Sequence, residues 1–343
     1  MDPHILELPR RVVVGRGVLG QAGRHLREIG LSGRPLILVG GTTLRIAGES
    51  VAKALSEWNP GIEKVSDSTT EEADRVEKAA AGYSCIVSVG GGRTIDIGKI
   101  AAHRRGIPFI SVPTAPSHDG IASERVSLTH GNGKASLRAR PPLAIIADID
   151  VLMNAPHRLI ASGSADAISN ITAVADWKLG QERGEYYSKY AASLALFSGE
   201  IVIASARDIR ERKERGIRNL VEALLTSSIA MSVAGSSRPA SGAEHSFSHV
   251  LDGLGSKALH GEQCGVGSIM MARLQGGEWE RIRDALREIG APTTARELGV
   301  PDGLVVEALV KAGGSRDRYT ILNEKPLDEA KAMELARSTG VIA

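Results

Sequence analysis

Cysteine and aromatic residues are scarce in this chain of 343 residues: it has two cysteines, and Phe, Trp and Tyr together make up 3%. Cys85 and Cys264 lie far apart in apolar surroundings, which argues against a secreted disulfide framework and favours reduced, buried thiols. No run of about eighteen apolar residues occurs, and no long apolar run follows the first residues. We therefore expect a cytoplasmic protein that does not insert into a membrane.

An excess of charge of either sign is also missing. The chain has 42 Lys and Arg residues against 40 Asp and Glu residues, for a formal net charge of +2. This balance gives no bulk attraction to nucleic acid or to an anionic membrane, so any anionic ligand must be bound by a local site. The hydrophobic content of 42% is enough for the cores of two domains.

Strand-like apolar runs alternate with helical patterns in the first part of the chain. This alternation predicts a parallel sheet with helices on its faces, and after Pro156 the sequence becomes alanine-rich and helix-periodic. We predict a Rossmann-like α/β domain over residues 1–154 and an all-α domain over residues 155–343. The strand-like runs are RVVVG, PLILVG, CIVSVG, PFISVP and LAIIAD.

Two glycine-rich turns follow predicted strands. Gly15, Gly17 and Gly20 match G-x-G-x-x-G, but no acidic residue follows the second strand to bind a ribose, so we interpret this turn as the opening of the first helix. In VSVGGGRTIDIGK, residues 90–92 are glycines that end a strand and open a helix, where backbone N–H groups can approach a pyrophosphate. Asp96 could cap that helix or hydrogen-bond a cofactor hydroxyl or carboxamide.

The segment SVPTAPSHDGIASERVSL is long and polar and follows the next predicted strand. We predict a loop here, at the edge of the sheet where open α/β proteins bind ligands. A loop of this length usually has a function. Its candidate ligand-binding residues are Thr114, Ser117, His118, Asp119 and Ser123.

Three of the nine histidines, His245, His249 and His260, fall within sixteen residues. Neutral imidazole is the commonest protein ligand for divalent transition metals, and the i,i+4 spacing of the first two puts them on one helix face. Glu244 precedes the first histidine instead of following it, so this is not the HExxH motif of zinc proteases. Asp166 in SGSADAISN is the best candidate for a carboxylate ligand, and one carboxylate with two imidazoles is typical of a catalytic zinc site.

Six segments, in the same order and over nearly the whole chain, resemble those of the sn-glycerol-1-phosphate dehydrogenases, which belong to the dehydroquinate synthase and iron-type alcohol dehydrogenase superfamily. The segments are GGGRTIDIGK, SVPTAPSHDGIAS, GSADAISN, SGAEHSFSH, LHGEQCGVG and SRDRYTIL. The resemblance implies a dehydroquinate synthase-like fold, in which an N-terminal dinucleotide-binding domain faces a helical domain across a cleft that holds one divalent metal, usually zinc. It further implies reduction of dihydroxyacetone phosphate by NADH or NADPH to sn-glycerol 1-phosphate, the backbone of archaeal membrane phospholipids.

The same resemblance assigns individual residues. It implies Asp166, His245 and His260 as metal ligands, and Asp119, Asp166 and His249 as substrate contacts. We hypothesise that a proton reaches the nascent alkoxide through His249, Asp119 or a metal-bound water. With the glycine turn included, the expected NAD(P) contacts are Gly90, Gly91, Gly92, Arg93, Thr94, Ile95, Asp96, Thr114, Ala115, Pro116, Ser117 and Ser123.

Several alternatives stay open at this stage. Because no acidic residue follows PLILVG, we predict that NADPH is accepted as well as NADH. Arg316, Arg318 and Lys257 are candidates for the substrate phosphate, or are solvated surface cations. The metal is zinc, nickel or iron. A glycerol dehydrogenase, a dehydroquinate synthase-like enzyme and a non-catalytic nucleotide- and metal-binding relative are the rival functions, and a homo-oligomer is expected because oligomers are common in the family.

Overall fold

The computed structural model describes residues 6–130 and 133–343, and the chain divides into two compact units, Met1–Pro156 and His157–Ala343. The sequence prediction drew the domain boundary after residue 154. Within the described ranges, no helix is both long enough and apolar enough to cross a membrane.

The first unit contains a six-stranded parallel sheet in the strand order β1-β8-β5-β4-β2-β3. A separate antiparallel hairpin is formed by β6 and β7. The strands are β1 (Arg11–Gly15), β2 (Pro35–Val39), β3 (Gly61–Lys64), β4 (Cys85–Gly90), β5 (Phe109–Pro113), β6 (Arg125–His130), β7 (Gly133–Arg138) and β8 (Ala144–Asp148).

The central strands are mostly apolar because the sheet is covered on both faces. Every residue of β2, β4, β5 and β8 is buried, as expected for parallel strands enclosed by helices. Ile37, Val87, Ile110 and Ile146 belong to one hydrophobic cluster of this core. The edge strands β1 and β3 are only partly buried. The predicted Rossmann-like parallel sheet is confirmed.

Short helices connect the strands of the first unit. The segment TLRIAGESVAKALSEW is one of the helical patterns that follow the strand-like runs, but it contains a π-helical turn at Leu44–Gly48, an α-helix and a 3-10 turn at Ser56–Trp58 instead of one continuous helix. The α-helices of this unit are α1 (Ala22–Glu28), α2 (Glu49–Ala54), α3 (Thr70–Ala79), α4 (Gly92–Arg105) and α5 (Ile149–Met153).

Two strand features were not predicted from the sequence. Strand β3 has the short sequence GIEK with alternating burial, which carries little hydrophobic signal at a sheet edge. The predicted loop after β5 is wrong from Arg125 onward, because β6 starts there. Val126 and Leu128 are buried while the intervening Ser127 is exposed, so a two-residue period was present within a polar segment.

The second unit is helical throughout its described residues, as predicted. Its longest helix, of 26 residues, buries side chains around much of its circumference, including Ile160, Ile168 and Trp177. The helices are α6 (His157–Glu182), α7 (Lys189–Ala204), α8 (Ala206–Arg210), α9 (Glu214–Ala234), α10 (Ala243–Gly253), α11 (His260–Gln275), α12 (Trp279–Ile289), α13 (Ala295–Leu298), α14 (Asp302–Ala312), α15 (Ile321–Glu324) and α16 (Glu329–Ser338).

Candidate functional site

Four side chains that could bind a metal converge inside the second unit. Asp166 lies on α6, His245 on α10, and His260 and Cys264 one turn apart at the start of α11. One ligand atom from each residue lies within 4.8 Å of the others. The Nε2 atoms of His245 and His260 lie 4.0 Å and 3.8 Å from Oδ1 of Asp166. Three separate helices therefore direct nitrogen and oxygen donors at one point.

Burial determines the protonation state of His245 in this cluster. Asp166, His245 and Cys264 are buried. Burial holds the pKa of His245 well below its usual value, and the positive charges of Arg316 and Arg318 and the neighbouring His249 add to this effect. His245 is therefore neutral near pH 7, which is the form that binds a metal.

The far side of each imidazole ring is held by a polar neighbour. Nδ1 of His245 lies 2.9 Å from Oε1 of Glu244. Nδ1 of His260 lies 3.1 Å from Oγ of Ser248, and this hydroxyl donates to Oε1 of Gln263 at 2.6 Å. Such outer contacts fix the orientation of ligand rings and leave Nε2 directed at the metal position.

Glu244 also connects the cluster to a buried carboxylate network. It accepts hydrogen bonds from the Gly242 backbone N–H at 2.5 Å and from Oγ1 of Thr172 at 2.9 Å. Asp176 nearby accepts from the backbone N–H groups of Ala243 and Ile321, at 2.7 and 2.8 Å. Burial raises the pKa of Glu244, and burial together with the negative charge of Glu244 raises the pKa of Asp176 to about 7.

The four-residue cluster includes Cys264 and leaves out His249, the remaining histidine of the sequence segment. His249 is one turn beyond His245 but is not a member of the four-residue cluster, and its ring centroid lies 6.2 Å from that of His260. Cys264 is a member, and sequence reasoning treated it only as a buried thiol. The sequence feature that indicates this proximity is the i,i+4 spacing of His260 and Cys264 at the start of a helix, which puts the two side chains on one helix face.

In the first unit, the glycine turn follows β4 and opens α4. Gly91 is the N-cap residue, and no side chain caps this helix. A Cβ atom at Gly92 would lie 2.1 Å from Nε2 of His118, whereas a Cβ at Gly91 would meet nothing within 4 Å. The turn therefore packs tightly on one side and has open space at its centre, as an approaching phosphate requires.

Asp96 lies inside α4 and does not cap it, so the capping alternative is wrong. Its Oδ2 accepts a hydrogen bond from the Ser127 backbone N–H at 3.1 Å. Its Oδ1 is buried without a hydrogen-bond partner among the described residues, although Nζ of Lys99 lies 3.7 Å away. Burial raises the pKa of Asp96 to about 6. The orphaned oxygen fits the other alternative, a hydrogen bond to a cofactor group.

The segment after β5 is held against this turn. The Thr114 backbone N–H donates to the Gly90 carbonyl at 3.0 Å, and Nδ1 of His118 accepts from the Gly120 N–H at 2.9 Å. Lys99, fully buried, donates to the carbonyl oxygens of Gly120 and Arg125 at 2.7 and 2.8 Å. Of the other predicted contact residues, Arg93 is exposed, Ser117 and Asp119 are half-buried, and Thr94, Ile95, Ala115, Pro116 and Ser123 are buried.

In the other glycine motif, Gly15, Gly17 and Gly20, backbone N–H groups are already bound to a carboxylate of the chain. The backbone N–H groups of Gly17 and Leu19 donate to the carboxylate oxygens of Asp148, each at 3.2 Å. This carboxylate takes the hydrogen bonds that a phosphate would take in a dinucleotide fingerprint. The geometry agrees with the interpretation of this motif as a structural turn.

The candidate phosphate-binding cations differ in their surroundings. Nη1 of Arg316 donates to Oγ of Ser241 at 2.7 Å. Arg318 donates to the Ser241 carbonyl and to Oγ of Ser237. Both arginines are half-buried and near enough to His245 to lower its pKa, whereas Lys257 is exposed. The two arginines are therefore not simply solvated surface charges.

Comparisons with known proteins agree with these features. Residues 13–156 match the family model described as iron-containing alcohol dehydrogenase. The chain is 48% identical to glycerol-1-phosphate dehydrogenase (NAD(P)+) of Methanothermobacter thermautotrophicus over 100% of both chains. It is 47% identical to the enzyme of the same name from Pyrococcus abyssi, over 99% of this chain and 100% of the relative.

Solved structures show the same fold at lower identity. A probable glycerol dehydrogenase from Sinorhizobium meliloti superposes with a TM-score of 0.82 at 21% identity, over 99% of this chain and 100% of the other. This similarity shows the dehydroquinate synthase-like fold alone. The identity over full length to the archaeal relatives is far higher, and it shows that the chain belongs to the family of NAD(P)+-dependent glycerol-1-phosphate dehydrogenases.

Proposed function

We propose that this protein reduces dihydroxyacetone phosphate with NADH or NADPH to sn-glycerol 1-phosphate, which supplies the backbone of archaeal membrane phospholipids. The observation that carries the proposal is the convergence of Asp166, His245 and His260 in a chain whose full-length relatives are named glycerol-1-phosphate dehydrogenase.

The donor set fits one divalent metal, for which we propose zinc. One carboxylate oxygen and two neutral imidazole nitrogens suit zinc and leave coordination positions for a substrate, although nickel or iron would also accept these ligands. A bound metal would act as a Lewis acid that polarises the C2 carbonyl of the substrate. Glu244 and Ser248 keep the two imidazoles oriented for this role.

The first unit would bind the dinucleotide at the glycine turn. The uncapped start of α4 offers backbone N–H groups to the pyrophosphate, and Oδ1 of Asp96 would accept a hydrogen bond from a cofactor group. Residues 114–117 and Ser123 would complete the contacts. Beyond β2 the chain reads Gly40, Gly41, Thr42 and Thr43, where no carboxylate would repel a 2′-phosphate. This composition supports the use of NADPH as well as NADH.

Two side chains are proposed to bind the substrate and to transfer a proton to the alkoxide that forms from it. Hydride addition to the C2 carbonyl creates an alkoxide, which must gain a proton. His249 follows His245 by one helical turn, and Asp119 begins the 3-10 turn after β5. We propose that these residues bind the substrate hydroxyl groups and relay the proton.

The direct test is oxidation of NADPH by the purified protein with dihydroxyacetone phosphate, followed by stereochemical analysis of the glycerol phosphate. Activity should disappear after chelation and return with Zn²⁺. Parallel assays use glycerol with NAD+ and the heptulosonate substrate of dehydroquinate synthase. Turnover of either of these in preference to dihydroxyacetone phosphate would replace the proposal with that rival function. Nucleotide and metal binding without turnover of any of these substrates would indicate a non-catalytic relative.

A further inference from the structure

We propose that Lys99 is a positioning residue for the reaction: its buried side chain fixes the turn that carries Asp119 and Ser123. Asp119 is a proposed substrate contact and Ser123 a proposed cofactor contact, so the proposal rests on the function proposed above. Lys99 would act through these two residues and not through a contact of its own with substrate or cofactor.

The hydrogen bonds of Lys99 reach both ends of this turn. The residue lies on α4, two helical turns after Gly92, and its side chain is fully buried. Nζ donates to the carbonyl oxygen of Gly120 at 2.7 Å and to that of Arg125 at 2.8 Å. An ammonium group has three N–H donors and no acceptor, so two of the three hold backbone here. One side chain therefore fixes both ends of residues 120–125, the segment that contains Ser123.

Asp96, one helical turn earlier on α4, holds the next part of the same segment. Its Oδ2 accepts from the Ser127 backbone N–H at 3.1 Å, and its Oδ1 lies 3.7 Å from Nζ of Lys99. Between the 3-10 turn at Asp119–Ile121 and the start of β6, the backbone belongs to neither a helix nor a strand. Side chains of α4 therefore supply partners to backbone groups that regular structure does not satisfy.

The turn is folded so tightly that its residues must move together. The N–H groups of Ala122 and Ser123 donate to the Asp119 carbonyl at 3.1 and 3.3 Å. A Cβ atom at Gly120 would lie 2.2 Å from Cε1 of His118, so the backbone of Gly120 lies directly against that ring. A displacement of the Gly120 carbonyl would therefore be transmitted to the neighbouring Asp119 and to Ser123.

Packing alone does not account for a lysine at this position. Burial lowers the pKa of Lys99, and the negative charges of Asp96, Asp119 and Glu124 oppose this effect. Burial of a charged group is unfavourable, and an apolar side chain of similar volume is often neutral or stabilising in its place. An apolar side chain cannot provide the hydrogen bonds to the two carbonyl oxygens, so the geometry of the turn is the role left for this lysine.

The experiment is a double-mutant cycle that combines Lys99→Met with Asp119→Asn in the full-length, zinc-loaded protein. Methionine has a similar volume but no N–H donor. We expect Lys99→Met alone to lower kcat for reduction of dihydroxyacetone phosphate by about 10- to 100-fold, because the turn loses its alignment. In the Asp119→Asn background the same change should lower kcat by less than about threefold, because Lys99 acts through Asp119. Lys78→Met removes an exposed lysine of α3 and should leave kcat unchanged.

Hydrogen exchange tests the same turn without turnover. In the absence of substrate and nucleotide, peptides that cover residues 119–127 should exchange about tenfold faster in Lys99→Met than in the unaltered protein, and peptides from β4 should not change. If Lys99→Met does not fold, Lys99→Arg replaces it in both measurements. Arginine keeps the charge, but its longer side chain shifts the donors away from the two carbonyl oxygens.

Equal losses of kcat in the two backgrounds would show that Lys99 does not act through Asp119 and would overturn the proposal. Unchanged exchange of residues 119–127 would overturn it as well. Faster exchange of this segment in a protein that has no activity on dihydroxyacetone phosphate would support the role of Lys99 in fixing the turn and contradict the proposed function alone.

Discussion

Oε1 of Glu244 lies 2.9 Å from Nδ1 of His245, so the carboxylate adjacent in sequence to this proposed ligand also orients its ring. We expect Glu244→Gln to weaken zinc binding about 10- to 100-fold, the usual effect of losing an outer contact to a ligand histidine. Competition with a chromophoric chelator measures this affinity. Glu307→Gln removes an exposed glutamate paired with Lys311 and should leave it unchanged. Equal affinity in Glu244→Gln and the unaltered protein would show that the contact does not support the ligand.

Asp176 makes stability depend on pH because burial raises its pKa to about 7. The native state binds this proton more tightly than the unfolded state, so the native state loses stability as pH rises from about 4 to about 7. The free energy of unfolding of the metal-free protein, relative to that of Asp176→Asn, should fall by up to a few kcal/mol across this window. Urea denaturation at several pH values measures the difference.

Asp208 provides a control of opposite sign. A hydrogen bond from Arg215 lowers the pKa of Asp208, so its contribution to stability is present above the unfolded pKa and is lost as pH falls. The unaltered protein should therefore gain stability relative to Asp208→Asn as pH rises. If the Asp176 comparison had the same sign as this control, the raised pKa of Asp176 would be incorrect.

Gly91 and Gly92 should respond differently to alanine. A methyl group at Gly91 meets no atom within 4 Å, so Gly91→Ala should fold normally but obstruct the approach of the pyrophosphate. A weakening of NADPH binding of about tenfold, or about 1.4 kcal/mol, is expected. At Gly92 the methyl group would overlap the His118 ring, so Gly92→Ala should also lose about 1–3 kcal/mol of stability.

Gly20→Ala is the matched control for this pair, because Gly20 is also open and belongs to the other glycine motif. Fluorescence titration with NADPH and thermal unfolding should both match those of the unaltered protein. If Gly20→Ala impaired NADPH binding as much as Gly91→Ala, the dinucleotide would have to be reassigned to the first motif.

Arg316 should distinguish phosphorylated from unphosphorylated substrate. Its guanidinium donates to Oγ of Ser241 and is near enough to His245 to influence its pKa. A charge-assisted hydrogen bond to a phosphate contributes about 1.5–3 kcal/mol, so Arg316→Ala should raise KM for dihydroxyacetone phosphate about 10- to 150-fold. The KM for dihydroxyacetone should stay unchanged, and so should both values in Lys257→Ala. An equal loss with both substrates would assign Arg316 a structural role only.

The sheet and the helical half were predictable because their signals are local. The apolar runs of β2, β4, β5 and β8 are buried at every position, so their composition alone identifies strands of a covered parallel sheet. Strand β3 and the hairpin strand β6 are short or partly polar. Their strand character depends on backbone pairing with partners elsewhere in the chain, which a local pattern does not reveal.

The spacing of the histidines predicted which segment contributes to the candidate metal site, but it could not distinguish the residues that belong to the site from those beside it. His245 and His249 share a helix face, yet the structure groups His245 with Asp166, which is 79 positions earlier in the chain. Only folding brings these residues together. The residue types offered Asp166 as a carboxylate candidate, but resemblance to a known family was needed to separate His249 from the ligands. Cys264 remained unnoticed because a single buried cysteine most often serves packing.

The hydrogen bonds from Gly17 and Leu19 to Asp148 also constrain how the first unit can assemble. They join residues 131 and 129 positions apart, and among the described residues β1 pairs within the sheet only with β8, the last strand to be synthesised in this unit. Contacts of such long range form late and slowly. During synthesis, β1 therefore lacks its native partner until β8 has left the ribosome, and in that interval its unpaired edges can associate with other chains.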